Sequence, residues 1–339
     1  MSLNGLRAAL AEDKSYSRLR AHAARVPAKR SQDLEIGAPQ GMRAALLAEM
    51  VDGLAEAHDG AAGNTAGATP VVLAVTATGR EAEDLAAALR SYLPLAGIEE
   101  FPSWETLPHE RLSPRSDTVG RRLSVLRRLA HPENDPIQIV VAPVRAVVQP
   151  LVKGLGDLQP VSLAVGDERP FDAVVKALAD AAYARVDMVS HRGEFAVRGG
   201  ILDVFPPTDD HPIRIDFFGD EVDSMRWFAV ADQRTLTGEH VIHPKELYAP
   251  PCRELLITPD VMSRAAKLQS QMPAAADMLE KIAGGIAVEG MESLAPVLVE
   301  EMVPLMSQLP AGSISAVISQ KSSVPSRVRS PTPVKTERP

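Results

Sequence analysis

The sequence predicts an α/β fold: a degenerate nucleotide-binding-type parallel sheet domain carrying an inserted small α+β domain built on an antiparallel sheet. Three observations carry this reading. The runs Val71-Val72-Leu73-Ala74-Val75 and Ile137-Gln138-Ile139-Val140-Val141 are apolar enough for strands buried on both faces, and they alternate with segments of helical apolar spacing. Tyr183 to Pro207, YARVDMVSHRGEFAVRGGILDVFPP, keeps a two-residue period instead, in Val186 and Met188, Phe195 and Val197, Leu202 and Val204. Gly193 and Gly199-Gly200 interrupt it where strands bend or bulge. Finally, the segment standing where a phosphate loop belongs lacks that loop's chemistry.

Residues 1–33 read as a helical basic arm. Leu3, Leu6 and Leu10 recur at helical spacing, and Arg18, Arg20, Arg25, Lys29 and Arg30 follow with no acid between Ser17 and Arg30. The run has no aromatic residue to stack on bases, which favours a solvated arm over a phosphate contact.

Residues 34–150 form the first part of the α/β domain. Met42, Leu46, Leu47, Met50, Val51 and Leu54 mark an amphipathic helix, the Gly60 to Pro70 stretch a loop, and Val71–Val75 a buried strand followed by a helix from about Arg80 to Leu93. Ser116-Asp117 are placed to cap the next helix, whose Val119, Leu123, Leu126 and Leu129 share one side. Arg121, Arg122, Arg127 and Arg128 go round the rest, as a solvated flank rather than a nucleic-acid face. Pro143 suits the first turn of a helix after the second strand.

A phosphate-binding loop of the form GxxxxGK[ST] needs glycines for backbone approach, a lysine for the phosphates and a hydroxyl for magnesium. Gly37-Ala38-Pro39-Gln40-Gly41-Met42-Arg43-Ala44 has neither the lysine nor the hydroxyl, Pro39 removes a backbone donor, and no GK[ST] occurs elsewhere. Gly37, Gly41 and Arg43 therefore read as a non-binding remnant. No cofactor is expected.

Residues 151–235 form the inserted domain. Val161 to Val165 is a short strand, and Phe171, Val174, Val175, Leu178 and Ala182 mark a helix leading into the sheet. Ile213 to Phe218, the turn Gly219-Asp220 and Glu221 to Val230 add two strands, so that one face is buried and the other presents side chains. Residues 236–319 return to the α/β domain, with a helix capped by Thr258-Pro259, others near 274–284 and 293–308, and a last strand at Ile314 to Ile318. Ser, Pro, Arg and Lys dominate residues 320–339, which are expected to be disordered.

The composition narrows function by exclusion. With 45% apolar and 24% charged residues in 339, the chain can build sizeable cores, and a net charge of −8 argues against a broadly basic nucleic-acid surface. Cys252 is the sole cysteine, so neither a disulfide framework nor a cysteine zinc site is available. No signal peptide or membrane span is visible, and a cytoplasmic location is expected. His109 and His191 lack a second ligand at metal spacing and read as loop histidines. The acidic pairs Glu99-Glu100, Asp209-Asp210 and Glu300-Glu301 read as turn or surface charge.

RGEFAVRGGILDVFP (Arg192 to Pro206), followed by RIDFFGDEVDSMRWF (Arg214 to Phe228), resembles the module shared by the repair protein UvrB and transcription-repair coupling factors of the Mfd type. The match extends to FPSWETLPHERLSPRSDTVGRRLSVLRRL (Phe101 to Leu129), whose wording is closer to the coupling factors, and covers roughly Leu34 to Ala249. The resemblance implies a non-catalytic module that recruits UvrA through its inserted sheet to start nucleotide excision repair at stalled RNA polymerase. It also implies that RNA polymerase and DNA are engaged by translocase and polymerase-binding domains not seen in this sequence. It further implies a docking surface masked by a C-terminal domain in the intact family protein, and hence open here; the chain is then a piece of that protein, or its tail is foreign.

The resemblance places the UvrA-binding residues at Arg185 and Arg198, with Phe205 as an apolar neighbour. A further arginine of UvrB falls on Ala196. Arginine suits the role because its planar fork pairs with carboxylates and anchors interfaces. The plainer alternative pairs Arg185 and Arg198 with Asp187, Glu194 or Asp203 as surface charge and leaves Phe205 in the core. The competing function, an ATP-dependent repair helicase or a UvrB-type damage-binding fragment, is opposed by the missing phosphate-loop lysine and by the absence of an aromatic-rich hairpin between Leu95 and Arg121. Weak, salt-sensitive DNA binding by the arm and tail is a third possibility.

Overall fold

The computed structural model describes residues 9–10, 12–25, 34–61, 69–107, 110–133, 135–238 and 240–319. The expectations for Leu3, Leu6, Lys29, Arg30, His109 and the 320–339 tail lie outside those residues.

Helix α1 (Lys14–Ala23) packs on α2 (Arg43–Ala61), and β1 (Val72–Thr76), α3 (Gly79–Tyr92), β2 (Ile98–Glu100), α4 (Ser116–Ala130), β3 (Ile139–Pro143) and α5 (Val144–Val148) follow. The unbroken apolar runs form β1 and β3, which pair in parallel, Val72 beside Ile139. The strand Ile314–Val317 lies outside β1 and β2 outside β3, making an all-parallel sheet of four strands. Both faces of β1 and β3 are covered, which is why these two strands carry no polar alternation, while the edge strand Ile314–Val317 alternates buried and exposed. Val72, Ala74, Ile139 and Val141 pack under α2 and α3, while Leu73, Val75 and Val140 pack under α4 with Phe101. Thr78 starts α3 by accepting the Glu81 N–H at 3.2 Å, and Glu81 reaches back to the Ala77 N–H at 3.1 Å.

The basic α1 is not a free arm where it is described. Tyr16, Leu19 and Ala23 are buried, and Arg20 is caged by acids that α2 supplies, Glu49, Asp52 and Glu56. Two other expectations fail on α4. Its N-cap is Arg115, without a side-chain cap bond. The Ser116 hydroxyl donates instead to the Arg192 carbonyl at 2.7 Å, and Asp117 pairs with Arg115 at 2.9 Å. Three of the arginines are also not a solvated flank, while Arg121 stays exposed as expected. Arg122 is fully buried against Glu254, Arg121 pairs with Glu100 at 2.9 Å, Arg128 holds Glu99 and Asp135, and Arg127 donates to the Leu158 carbonyl at 3.1 Å. Each of the four thus has a partner within the chain, and of them Arg121 keeps 47% of its side chain exposed. Pro143 ends β3 and caps α5 rather than entering its first turn.

The chain leaves this body through β4 (Leu151–Val152) and enters β5 (Val161–Ala164) and α6 (Phe171–Asp180). The strands β6 (Ala184–Arg185), β7 (Glu194–Arg198), β8 (Ile201–Val204), β9 (Ile213–Phe218) and β10 (Glu221–Trp227) come next, and β11 (Glu246–Ala249) closes back antiparallel on β5. Beyond it α7 (Pro259–Leu268) starts at a Thr258 cap with Pro259 at its first position, as expected, and α8 (Ala276–Ala283) follows. The single helix expected over 293–308 is broken into the one-turn α9 (Ala295–Leu298), β12 (Met302–Val303) and a 3-10 turn at Leu305–Gln308. Pro304 cannot donate within a helix, and β12 pairs with β4 instead. The last strand, β13 (Ile314–Val317), is one of the two edge strands of the parallel sheet, β2 being the other. Among the described residues no helix is long and apolar enough to cross a membrane.

Candidate functional site

The second sheet has the order β10-β9-β8-β7-β6. All its pairs are antiparallel except β6–β7, which is parallel, and β6 stops at Arg185, short of Val186 and Met188. Gly199-Gly200 turns β7 into β8 and Gly219-Asp220 turns β9 into β10. The inner face carries Phe195, Leu202, Val204, Ile213 and Ile215, packed against Val174 and Leu178 of α6. Phe171 meets Phe217 edge-on with ring centroids 5.0 Å apart.

The outer face is not simply open to solvent, as the two-residue period suggested. Asp203 of β8 is 0% exposed. Arg214, its cross-strand partner on β9, grips it with both arms of the guanidinium, Nε to Oδ1 at 2.7 Å and Nη2 to Oδ2 at 2.9 Å, and Arg198 adds a third ion pair to Oδ2. Arg214 is itself placed by the Phe228 ring, 4.7 Å below its guanidinium, and by the Gln233 carbonyl at 3.2 Å. Val189, Ala196, Phe205 and Phe228 make a small core over this half of the face. A carboxylate can be buried there because two guanidinium groups neutralise it and satisfy its oxygens.

The proposed contact residues have three different environments. Arg185 is exposed on the edge strand and, among the described residues, has no hydrogen-bond or ion-pair partner. Arg198 is anchored by Asp203 with 48% of its side chain still exposed. The strand register puts Arg185 on the pleat side of Phe195 and Arg198 on that of Ala196, so the two arginines leave opposite sides of the sheet. Phe205 is only 7% exposed and lies 5.3 Å below the Arg192 guanidinium. Ala196 is buried opposite Asp203.

Gly37 lies in irregular chain and Gly41 in a 3-10 turn, Gln40–Met42, that leads into α2; no strand precedes them among the described residues. Neither glycine has a positive φ, and a Cβ on either would meet nothing within 4 Å. The Arg43 side chain reaches the Ser319 carbonyl at 3.4 Å.

Sequence reasoning missed Arg192, which joins the sheet to the α/β body. Its Nε donates to the Asp209 carbonyl at 2.7 Å and its own carbonyl accepts from Ser116 of α4. Gly193, at φ 86°, is required there: a Cβ would stand 2.9 Å from the Ser116 side chain. The Asp209 carboxyl is raised to about 6, by burial first and then by the charge of Asp210. His191 is an exposed loop residue whose Nδ1 lies 3.4 Å from Glu194.

One family model and three relatives match this chain. A family model described as the UvrB interaction domain matches residues 161–248, nearly the unit that β5 and β11 close. The chain is 54% identical over 255 residues to the transcription-repair-coupling factor of Mycobacterium tuberculosis, covering 71% of this chain and 20% of that protein. It is 32% identical over 217 residues to the transcription-repair-coupling factor of Escherichia coli, covering 62% and 17%. It is also 31% identical over 199 residues to the UvrABC system protein B of Streptomyces coelicolor, covering 54% and 26%. The chain thus spans about a fifth of the length of the coupling factors it matches.

Proposed function

We propose that this chain, a homologue of transcription-repair-coupling factors that carries a UvrB interaction domain, is a non-catalytic docking module that recruits UvrA through the sheet of β6 to β10. The observation that carries the proposal is Arg198, held half-exposed on a buried carboxylate within the segment matching the interaction domain. A guanidinium fixed in place loses less freedom on binding than a mobile one, and arginine is enriched among interface anchors. Arg185, exposed on the edge strand and without a side-chain partner among the described residues, is the second contact, reached round the sheet edge from the face that carries Arg198. Phe205 supports the site from beneath Arg192. On this reading 151–235 is the docking insert, with its frame extended to Ala249 by the β5–β11 pair, and 34–150 with 236–319 is a retired nucleotide-binding scaffold. Recruitment to stalled RNA polymerase in the cytoplasm, with polymerase and DNA held by other parts of a longer protein, completes the proposal.

The test is calorimetric titration of purified UvrA into the chain. Arg185→Ala and Arg198→Ala are each expected to weaken binding at least about tenfold, some 1.4 kcal/mol, with the melting temperature held. Absence of binding by the folded, unmodified chain would remove the partner. The chain alone is expected to melt at the same temperature with and without magnesium-ATP; a clear rise would overturn the non-catalytic reading.

A further inference from the structure

We infer that the exposed end of the outer sheet face, built from Arg198, Ile201 and Phe218, is the patch that grips the protein partner, with Phe218 as its aromatic anchor. This rests on the docking reading above and deepens it. Phe218 ends β9 with 82% of its surface exposed. Phe217 packs on the inner face, so Phe218 falls on the outer pleat side with Arg214 and Asp216. The two hairpin turns lie at the same end of the sheet, and the Phe217 N–H donates to the Gly200 carbonyl at 2.8 Å, which sets Phe218 across from Gly199. A Cβ at position 200 would stand 2.9 Å from the Phe217 carbonyl oxygen, so glycine there lets the hairpins close up. With no side chain at 199 or 200, none at those positions screens the ring from Arg198.

A lone exposed apolar residue is ordinary on a protein surface. What gives this one a partner is Arg198 on the same face, while Glu221 stands directly across from the ring on β10. Two guanidinium groups share the single buried carboxylate of Asp203, so that cluster carries one net positive charge, which reaches solvent at Arg198; Asp216 on the same face is paired with Arg226. The complementary surface therefore offers a carboxylate for Arg198 next to an apolar socket for the Phe218 ring. Aromatic and arginine anchors of this kind concentrate binding energy at an interface centre. Residues 161–248, the matched interaction domain, contain the whole patch, and UvrA is the occupant to which the proposal commits.

Calorimetric titration of UvrA into the full chain decides it, with Ile242→Ala as a control at an 87%-exposed apolar residue next to Trp227, at the other end of β10. Phe218→Ala is expected to weaken binding at least about tenfold without lowering the melting temperature, Phe218→Tyr to stay within about threefold, and Ile242→Ala within about twofold. Binding by Phe218→Ala within twofold of the unmodified chain, while Arg198→Ala is impaired, would overturn the anchor and leave the docking reading standing. An unmodified chain that is folded but does not bind UvrA would overturn both. A loss with Phe218→Tyr equal to that with Phe218→Ala would also sink the anchor, because the ring would then not be what the partner holds.

Discussion

Arg122→Ala is expected to destabilise the chain by about 3–5 kcal/mol, the cost of removing one partner from a buried ion pair. Arg122 is 0% exposed and Glu254 3%. The guanidinium lies 4.3 Å from the Phe101 ring centroid and 5.8 Å from that of Trp104, and donates to the Pro102 carbonyl at 2.8 Å as well as to Glu254. Glu254 also accepts from the Trp104 indole at 3.0 Å. The pair straps together α4, the segment after β2 and the segment after β11, so its loss strands a carboxylate where water cannot reach it. Arg122→Lys should recover little, since a point charge cannot stack on Phe101 and fork to two acceptors. Arg122→Met combined with Glu254→Leu should recover most of the loss, because no charge is then left buried. Urea unfolding followed by tryptophan fluorescence reads all three; an Arg122→Ala chain within about 1 kcal/mol of its parent would refute the strap.

That pair also marks where the sequence stops being legible. The apolar side of α4 could be read because Val119, Leu123, Leu126 and Leu129 repeat at a helical period, and burial follows that period. Arg122 sits next to the stripe, and its partner is 132 residues away, so no local pattern distinguishes it from the arginines beside it. The central parallel strands β1 and β3 were legible from their apolar runs, and the hairpins from alternation and paired glycines; β2, Ile98–Glu100, has no such run, and its Glu99-Glu100 read as turn or surface charge. The outer face of the second sheet was not. Phe205 follows the inward-facing Val204 and points the other way. It is buried because Val189 and Phe228, from segments outside β7 and β8, cover that face. Phe218 was missed for the converse reason: in the run Ile213 to Phe218 it resembles a core residue, and only the strand register shows that the core took Phe217. Of the recognition chemistry, the wording around Arg198 was legible and its support by Asp203 and Arg214 was not.

Asp203 is where stability and recognition meet, and its variants separate the two. Asp203→Ala should cost about 3 kcal/mol, near the lower end for a broken buried pair, because Arg214 stays largely buried with only the Gln233 carbonyl and the Phe228 ring as partners while half-exposed Arg198 regains water. Asp203→Asn keeps the shape and an acceptor oxygen but not the charge, so it should fold with a smaller loss. Arg198→Ala, which removes a half-exposed side chain and leaves the two-armed, more buried Asp203–Arg214 bond in place, should cost less than about 1 kcal/mol of stability. Binding should rank differently. If Asp203 acts on the partner only by fixing Arg198, then Asp203→Asn weakens UvrA binding in the presence of Arg198 and has little further effect once Arg198 is alanine. A double-mutant cycle in which the two losses simply add would show that Asp203 does not work through Arg198. A non-additive cycle would mean that the partner grips an arginine held ready by a carboxylate it never touches.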